Sequence, residues 1–231
     1  MLGLGSPMQF PDVGRLWQTV TYFEALPVVA CIQRTFGLNP PPATVLPQGE
    51  LIMDLTQPAP VALWGALDDV VMGGMSRSNL VPDPAGARFE GIVTTENNGG
   101  FASIRTRNLE PPLNLADATG LALRVRGDGK RYKLLLRDSS SWDTLAYGAQ
   151  FDTQPATWIT VKIPFADLVP VFRAKTVPNA PPLNLRQVVS LQIMLSKFAY
   201  NGQRNPTFQS GDFRLQISTI STYREDPSPT L

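Results

Sequence analysis

The chain has 231 residues, 43% hydrophobic and only 17% charged, enough for a sizeable core beneath a surface of low charge density. Its 20 Lys and Arg nearly balance 19 Asp and Glu, so no net field draws it to nucleic acid. Histidine is absent, which excludes Ser-His-Asp and Cys-His sites, a histidine general base and His-ligated metals, and the single Cys31 excludes an internal disulfide.

The first residues lack the basic start, apolar run and small-residue cleavage site of a secretory signal, so the sequence predicts a protein that is not secreted. Nor is there an uncharged apolar run of about 18 residues, as a spanning helix needs. Residues 12–37 form the first unit, within a leader assigned to 1–38. Asp12 is suited to cap a helix and Gly37 to stop one. Between them Val13, Leu16, Trp17, Val20 and Phe23 recur at helical spacing. Pro27 predicts a break near Leu26, with a second helix carrying Val28, Val29, Ile32 and Phe36. Apolar neighbours make Cys31 an inert buried thiol. The unit packs on its own domain or a partner, or lies on a membrane surface through residues 12–37. With so few basic residues, the membrane alternative is the weaker.

Residues 39–49 form a proline-rich linker, stiff and extended at Pro40–Pro42. From residue 50 the pattern changes to strands, and a β-sandwich is expected over 50–223, with a tail at 224–231. The first strand is expected at 51–55. Next comes WGALDDVVMGGMS (64–76), a strand-like run leading into Asp68, Asp69 and the pair Gly73-Gly74. In a strand the two carboxylates face opposite sides, so they make no acid/base couple. The expected roles are local: one accepts amides of the following turn, and the other pairs with an arginine. A ligand- or cation-binding role is the alternative. A second pair, Gly99-Gly100, stands before Phe101, and neither pair has phosphate-loop spacing.

Further strands are expected at 88–95, 101–107, 120–126, 132–137, 145–151, 158–163, 188–195 and 213–220, separated by turns such as Gly127-Asp128-Gly129. So many short strands predict an all-β, two-sheet jelly roll. Arg124 and Arg126 share one strand face, and Arg105, Arg107 and Arg137 lie on other strands. Arg124, Trp142, Tyr147 and Asp152 are candidates for a polar groove with an aromatic floor, suited to sugars or peptides; an ordinary polar sheet face is the alternative. The segment 164–182 holds five prolines, with one helical turn expected at 165–168. The rest is expected to present Val171, Phe172, Arg173 and Lys175 on a stiff loop, either as a contact surface or as a cover for a sheet edge. A second long loop, 197–210, carries Phe198 and Tyr200. With Trp17 and Phe23 these residues are the partner-contact candidates. No catalytic, metal or cofactor site is expected.

WGALDDVVMGGMS, NNGGFASIRT (97–106), LRVRGDGKRYKLLLRD (123–138), TWITVKIPFADLVPVFRAK (157–175) and LQIMLSKF (191–198) occur in the order of blocks that resemble the complex I intermediate-associated protein family. The likeness is to its cyanobacterial and chloroplast branch, over roughly residues 50 to 220. GRLWQTVTYFEALPVVACIQRTFG (14–37) resembles the leader of photosynthetic relatives. Some relatives insert a Rossmann dehydrogenase-like domain after it, where this chain has only the proline-rich link. The resemblance implies a galactose-binding-like sandwich, related in shape to carbohydrate-binding modules. It also implies a non-catalytic factor for building membrane-bound electron-transfer complexes, respiratory complex I or, in plants, photosystem II. Asp68, Asp69, Gly73, Gly74, Gly99, Gly100 and Arg173 match the signature, with a structural or partner-contact role implied.

The expected function is therefore a protein-binding assembly or stability factor, or an accessory subunit, of a photosynthetic or NDH-type complex. Its partners would be protein subunits of that complex, met peripherally on the cytoplasmic side of a thylakoid or inner membrane. The alternatives are a carbohydrate- or small-ligand-binding module and a linker-like subunit of a phycobilisome antenna.

Overall fold

The computed structural model describes residues 13–23, 41–45, 47 and 49–225. Helix α1 (Val13–Tyr22) precedes β1 (Leu51–Asp54), the short helix α2 (Pro58–Val61), β2 (Trp64–Ala66), β3 (Arg77–Val81), β4 (Ala87–Val93) and β5 (Phe101–Thr106). There follow β6 (Gly120–Arg126), β7 (Arg131–Arg137), β8 (Ala146–Asp152), β9 (Trp158–Pro164), β10 (Val169–Phe172), β11 (Lys175–Thr176), β12 (Ser190–Ser196) and β13 (Gly211–Tyr223). The expected second helix, with Cys31, lies outside the described residues.

The strands form two antiparallel sheets, the jelly-roll sandwich that the turn spacing implied. One runs β3-β4-β13-β6-β9, and the other β11-β10-β8-β7-β12-β5-β2. The long β13 organises the first sheet. Its Gly211–Ile217 half pairs with β4, its Thr219–Ser221 part pairs with β1, and β6 runs along its other side. Every strand that alternation marked is present, because each turns one apolar row inward. In β6 Leu121, Leu123 and Val125 are buried while Arg124 and Arg126 are exposed.

Leu134, Leu136, Leu191, Ile193 and Leu195 from one sheet meet Phe89, Leu215, Ile217 and Leu123 from the other in a continuous core. Each such side chain contributes about 1.5–3 kcal/mol when fully buried. Phe89 and Phe213 pack edge to face, with ring centroids 4.8 Å apart.

The segment 164–182 differs from the stiff loop expected. Phe165–Asp167 forms the helical turn, but β10 and β11 then make a hairpin on the edge of the seven-stranded sheet. Arg173 and Ala174 both take left-handed backbone angles, φ 48° and 64°, the geometry of a two-residue hairpin turn. Pro170 is tolerated because it stands near that sheet edge.

Candidate functional site

The paired aspartates and glycines build a buried clasp between β3 and β5. β2 ends at Ala66, and Asp69–Met72 form a 3-10 turn that Gly73 closes at φ 88°, a conformation favouring glycine. Asp68 accepts from the Ser78 amide at 2.8 Å, the Ser78 hydroxyl at 2.5 Å and the Ser103 amide at 3.0 Å. Asp69 accepts from the Ser76 amide and hydroxyl at 2.9 and 2.7 Å and from the Gly100 amide at 2.6 Å. Both carboxylates are 1% exposed. A Cβ on either Gly74 or Gly99 would lie 2.4 Å from an Asp69 carboxylate oxygen, so the two glycines make room for it.

The arginine that meets Asp68 comes from α1 and from no strand. Arg15 donates to Asp68 Oδ2 at 3.2 Å and to the Ser78 carbonyl at 3.0 Å. Burial pushes the Asp68 carboxyl up to about 6, while hydrogen bonds from Ser78 and Ser103 and the Arg15 charge pull it down. Helix α1 is held further along by Tyr22, whose hydroxyl donates to the Ala62 carbonyl at 2.8 Å and whose ring fills the space over Gly65.

The outer face of the seven-stranded sheet is the second polar constellation. Alternation puts Ser103 and Arg105 of β5, Ser190 and Gln192 of β12, and Lys133 and Arg137 of β7 on this side. Unlike Arg124 on the other sheet, most are covered: Arg105 is 3% exposed, Lys133 4%, Gln192 2% and Ser190 0%. Phe23 and Trp142 lie over the Arg105 guanidinium, 5.9 and 5.6 Å from it. Tyr200 lies over Lys133 at 4.6 Å, and Lys133 donates to the Ala199 carbonyl. Burial lowers Lys133 to about 8 and Arg105 to about 10; it lowers Arg137 to about 9, with the Arg105 charge adding to that shift.

The partner-contact candidates separate by exposure. Trp17 is 58% exposed, and Phe172, Arg173 and Lys175 lie on the open tip of the β10–β11 hairpin. Arg173 pairs there with Asp143. Val171 instead turns into a small cluster with Leu135 and Ala146. Phe23, Phe198 and Tyr200 are half-buried, Phe23 against Trp142.

The four groove candidates do not share one surface. Arg124 stacks on Trp158 on the six-stranded sheet. Tyr147 is 3% exposed, with its hydroxyl donating to Pro181. Asp152 pairs with Arg131 at the end of β8, at 2.6 Å. Only Trp142 stands at the covered cationic face. Lys133 and Gln192 there were missed, although the alternation in RYKLLLR places Lys133 and Arg137 on one side. Among the described residues no three Asp, Glu or Cys converge as a metal would require, and no helix is long and apolar enough to cross a membrane.

Among solved structures, the fold is similar to a family 11 carbohydrate-binding module of the cellulase Lic26A-Cel5E of Clostridium thermocellum, at 16% identity and a TM-score of 0.54. The match covers 78% of this chain and 98% of that one. A family 11 module from the same organism, in complex with a β-1,3-1,4-mixed-linked tetrasaccharide, matches at 15% identity and TM-score 0.51, over 77% and 97% of the two chains. At these identities the likeness is one of fold. An uncharacterized protein of Schizosaccharomyces pombe is 30% identical over 173 residues, 67% of this chain and 75% of that protein. Residues 53–217 match the family described as complex I intermediate-associated protein 30, and the chain belongs to that family.

Proposed function

We propose that this chain is a non-catalytic protein-binding module serving the assembly or stability of a membrane-associated electron-transfer complex, photosynthetic or NDH-type. Membership of the complex I intermediate-associated protein 30 family is the observation that carries this reading. The contact surfaces would be Trp17 on α1 and, at the opposite edge of the seven-stranded sheet from β2, the hairpin tip, where Phe172, Arg173 and Lys175 face outward. An exposed aromatic ring beside an arginine, as Phe172 stands beside Arg173 at 5.1 Å, suits a protein interface better than an idle surface. The chain would work peripherally, at the cytoplasmic side of the membrane that holds the complex.

Deleting the gene and resolving membrane complexes by native electrophoresis tests this. The expected result is loss of one mature complex, accumulation of its partial assembly, and comigration of the tagged chain with the partial assembly. Normal levels of every membrane complex in the deletion strain would refute it. Equal stoichiometry in the finished complex would make the chain a permanent subunit, the antenna variant included.

A second reading, a carbohydrate-binding module, draws support from the fold likeness to the two family 11 modules. Calorimetric titration with mixed-linked β-glucan oligosaccharides separates the two. The assembly reading expects no saturable heat at millimolar sugar.

A further inference from the structure

Among the described residues, the covered outer face of the seven-stranded sheet holds cations without anions. Arg105 reaches one polar side chain, Asn108, at 3.5 Å, and its Nε has no hydrogen-bond acceptor. Arg137 donates through Nη1 to Gln192 at 2.8 Å, and its Nε also has none. Ser190, directly opposite Arg137 in the β7–β12 register, is 0% exposed with an unpartnered hydroxyl. Gln192, directly opposite Arg105, is turned by its bond to the Ser103 hydroxyl at 2.9 Å so that its oxygen faces Arg137. Among the described residues no carboxylate pairs with Arg105, Arg137 or Lys133.

For Arg105, at 3% exposure, this arrangement is costly as a purely structural one; Arg137 nearby is half-buried and shares the cost in part. A buried charge without a counter-ion carries a desolvation penalty of several kcal/mol, and replacing such groups with apolar ones often stabilises a fold. Elsewhere the same sheet satisfies its cations in the ordinary way, as Arg131 with Asp152. Arg105 lies beneath Trp142 of the irregular 138–145 segment and Phe23 at the end of α1, with Arg137 across β12 from it, whereas Lys133 stands apart under Tyr200. A guanidinium presents its N–H groups as a planar fork, which matches the geometry of a carboxylate or a phosphate. Two guanidinium forks each with a spare Nε donor, one unpartnered hydroxyl and, among the described residues, no competing acid describe an oxyanion receptor.

We propose that Arg105 and Arg137, with Ser190 between the strands that carry them, bind a carboxylate or phosphate group under Trp142. The occupant is a single oxyanion group, either free in solution or at the end of an acidic side chain. The inference goes beyond the assembly reading and does not require it.

The test uses the intact chain and two probes, inorganic phosphate and a short oligoglutamate peptide, each against sodium chloride of equal ionic strength. Melting temperature and tryptophan emission are followed. At about a hundredfold excess over Kd, a bound anion should raise the melting temperature by roughly 5–10 °C. Trp142→Phe should remove the emission change and keep the thermal shift, because that ring reports on Arg105 without being the receptor. The double variant Arg105→Met/Arg137→Met should fold, melt at or above the parent temperature, and lose the response to both probes. A response to phosphate alone marks a free ion as the source, and a response to the peptide alone marks an acidic chain; either supports the site.

No saturable response beyond chloride would overturn it. So would an unchanged response in the double variant. If that variant does not fold, the single Arg137→Gln substitution serves: the parent's affinity retained there sinks the proposal, and a loss of tenfold or more upholds it.

Discussion

At Asp69 one carboxylate replaces the hydrogen bonding that two chain corners would otherwise lack. It accepts the Ser76 amide from one corner and the Gly100 and Phe101 amides from the other, 31 and 32 residues away in sequence. Asp69→Ala would leave these donors buried and unpaired, with an expected loss of about 3–5 kcal/mol in denaturant unfolding. Gly99→Ala should also destabilise, by about 1–3 kcal/mol, because its Cβ would meet the Asp69 oxygen at 2.4 Å. The two costs should not add. Once Asp69 is alanine that oxygen is gone, so the double mutant should recover at least about 1 kcal/mol of coupling. Strict additivity would show that the glycine serves some other purpose. The adjacent acids and the two glycine pairs were conspicuous in the sequence, and so was their local role. Their joining into one clasp was not, because nothing local tells Asp69 which distant amides it will meet.

Among the elements, β5, β6, β7 and β12 were legible because their apolar rows alternate without interruption. β3 was not. Its RSNLV has a serine where alternation would want an apolar residue, and that serine is buried to bind Asp68. The β10–β11 hairpin was hidden by prolines, which the hairpin tolerates at its edge position. Helix α1 was readable from its spacing, but its seat was not, since Gly65 and Asp68 lie on other elements. That seat is testable. A Cβ at Gly65 would stand 2.5 Å from the Tyr22 ring, while a strand accepts a β-branched residue readily. Gly65→Val should therefore displace α1 and spare the sheet. Hydrogen exchange should show lost protection over residues 13–22 and unchanged protection in β5. Retained protection of the helix would mean that Arg15 and Thr19 suffice to hold it.

For the whole molecule, the buried ionisable groups shape how stability varies with pH. Asp68 is raised from an ordinary 3.8 to about 6, so between these values the folded chain keeps a proton that the unfolded chain releases. Its contribution therefore falls as pH rises from about 4 to 6, and its burial cost is fully present above that. Lys133 is lowered from 10.5 to about 8, so between these values the unfolded chain holds the extra proton. Stability rises with pH across that window, and below about 8 the cost of the buried ammonium is fully present. At 1.36 kcal/mol per pH unit, each shift is worth on the order of 3 kcal/mol. Asp83 and Asp152 are held below the ordinary carboxylate range by local hydrogen bonds, from the Ala85 amide and from Arg131 respectively, so their contributions fade only below about pH 4.

The contributions of Asp68 and Lys133 are therefore together at their lowest between about pH 6 and 8. Lys133→Met should raise the stability at pH 7 and flatten the rise between pH 8 and 10, as measured by urea unfolding at a series of pH values. A variant that kept the parent's alkaline slope would show that Lys133 is hydrated in the folded protein. The strain attributed to this face would then rest on its two arginines alone.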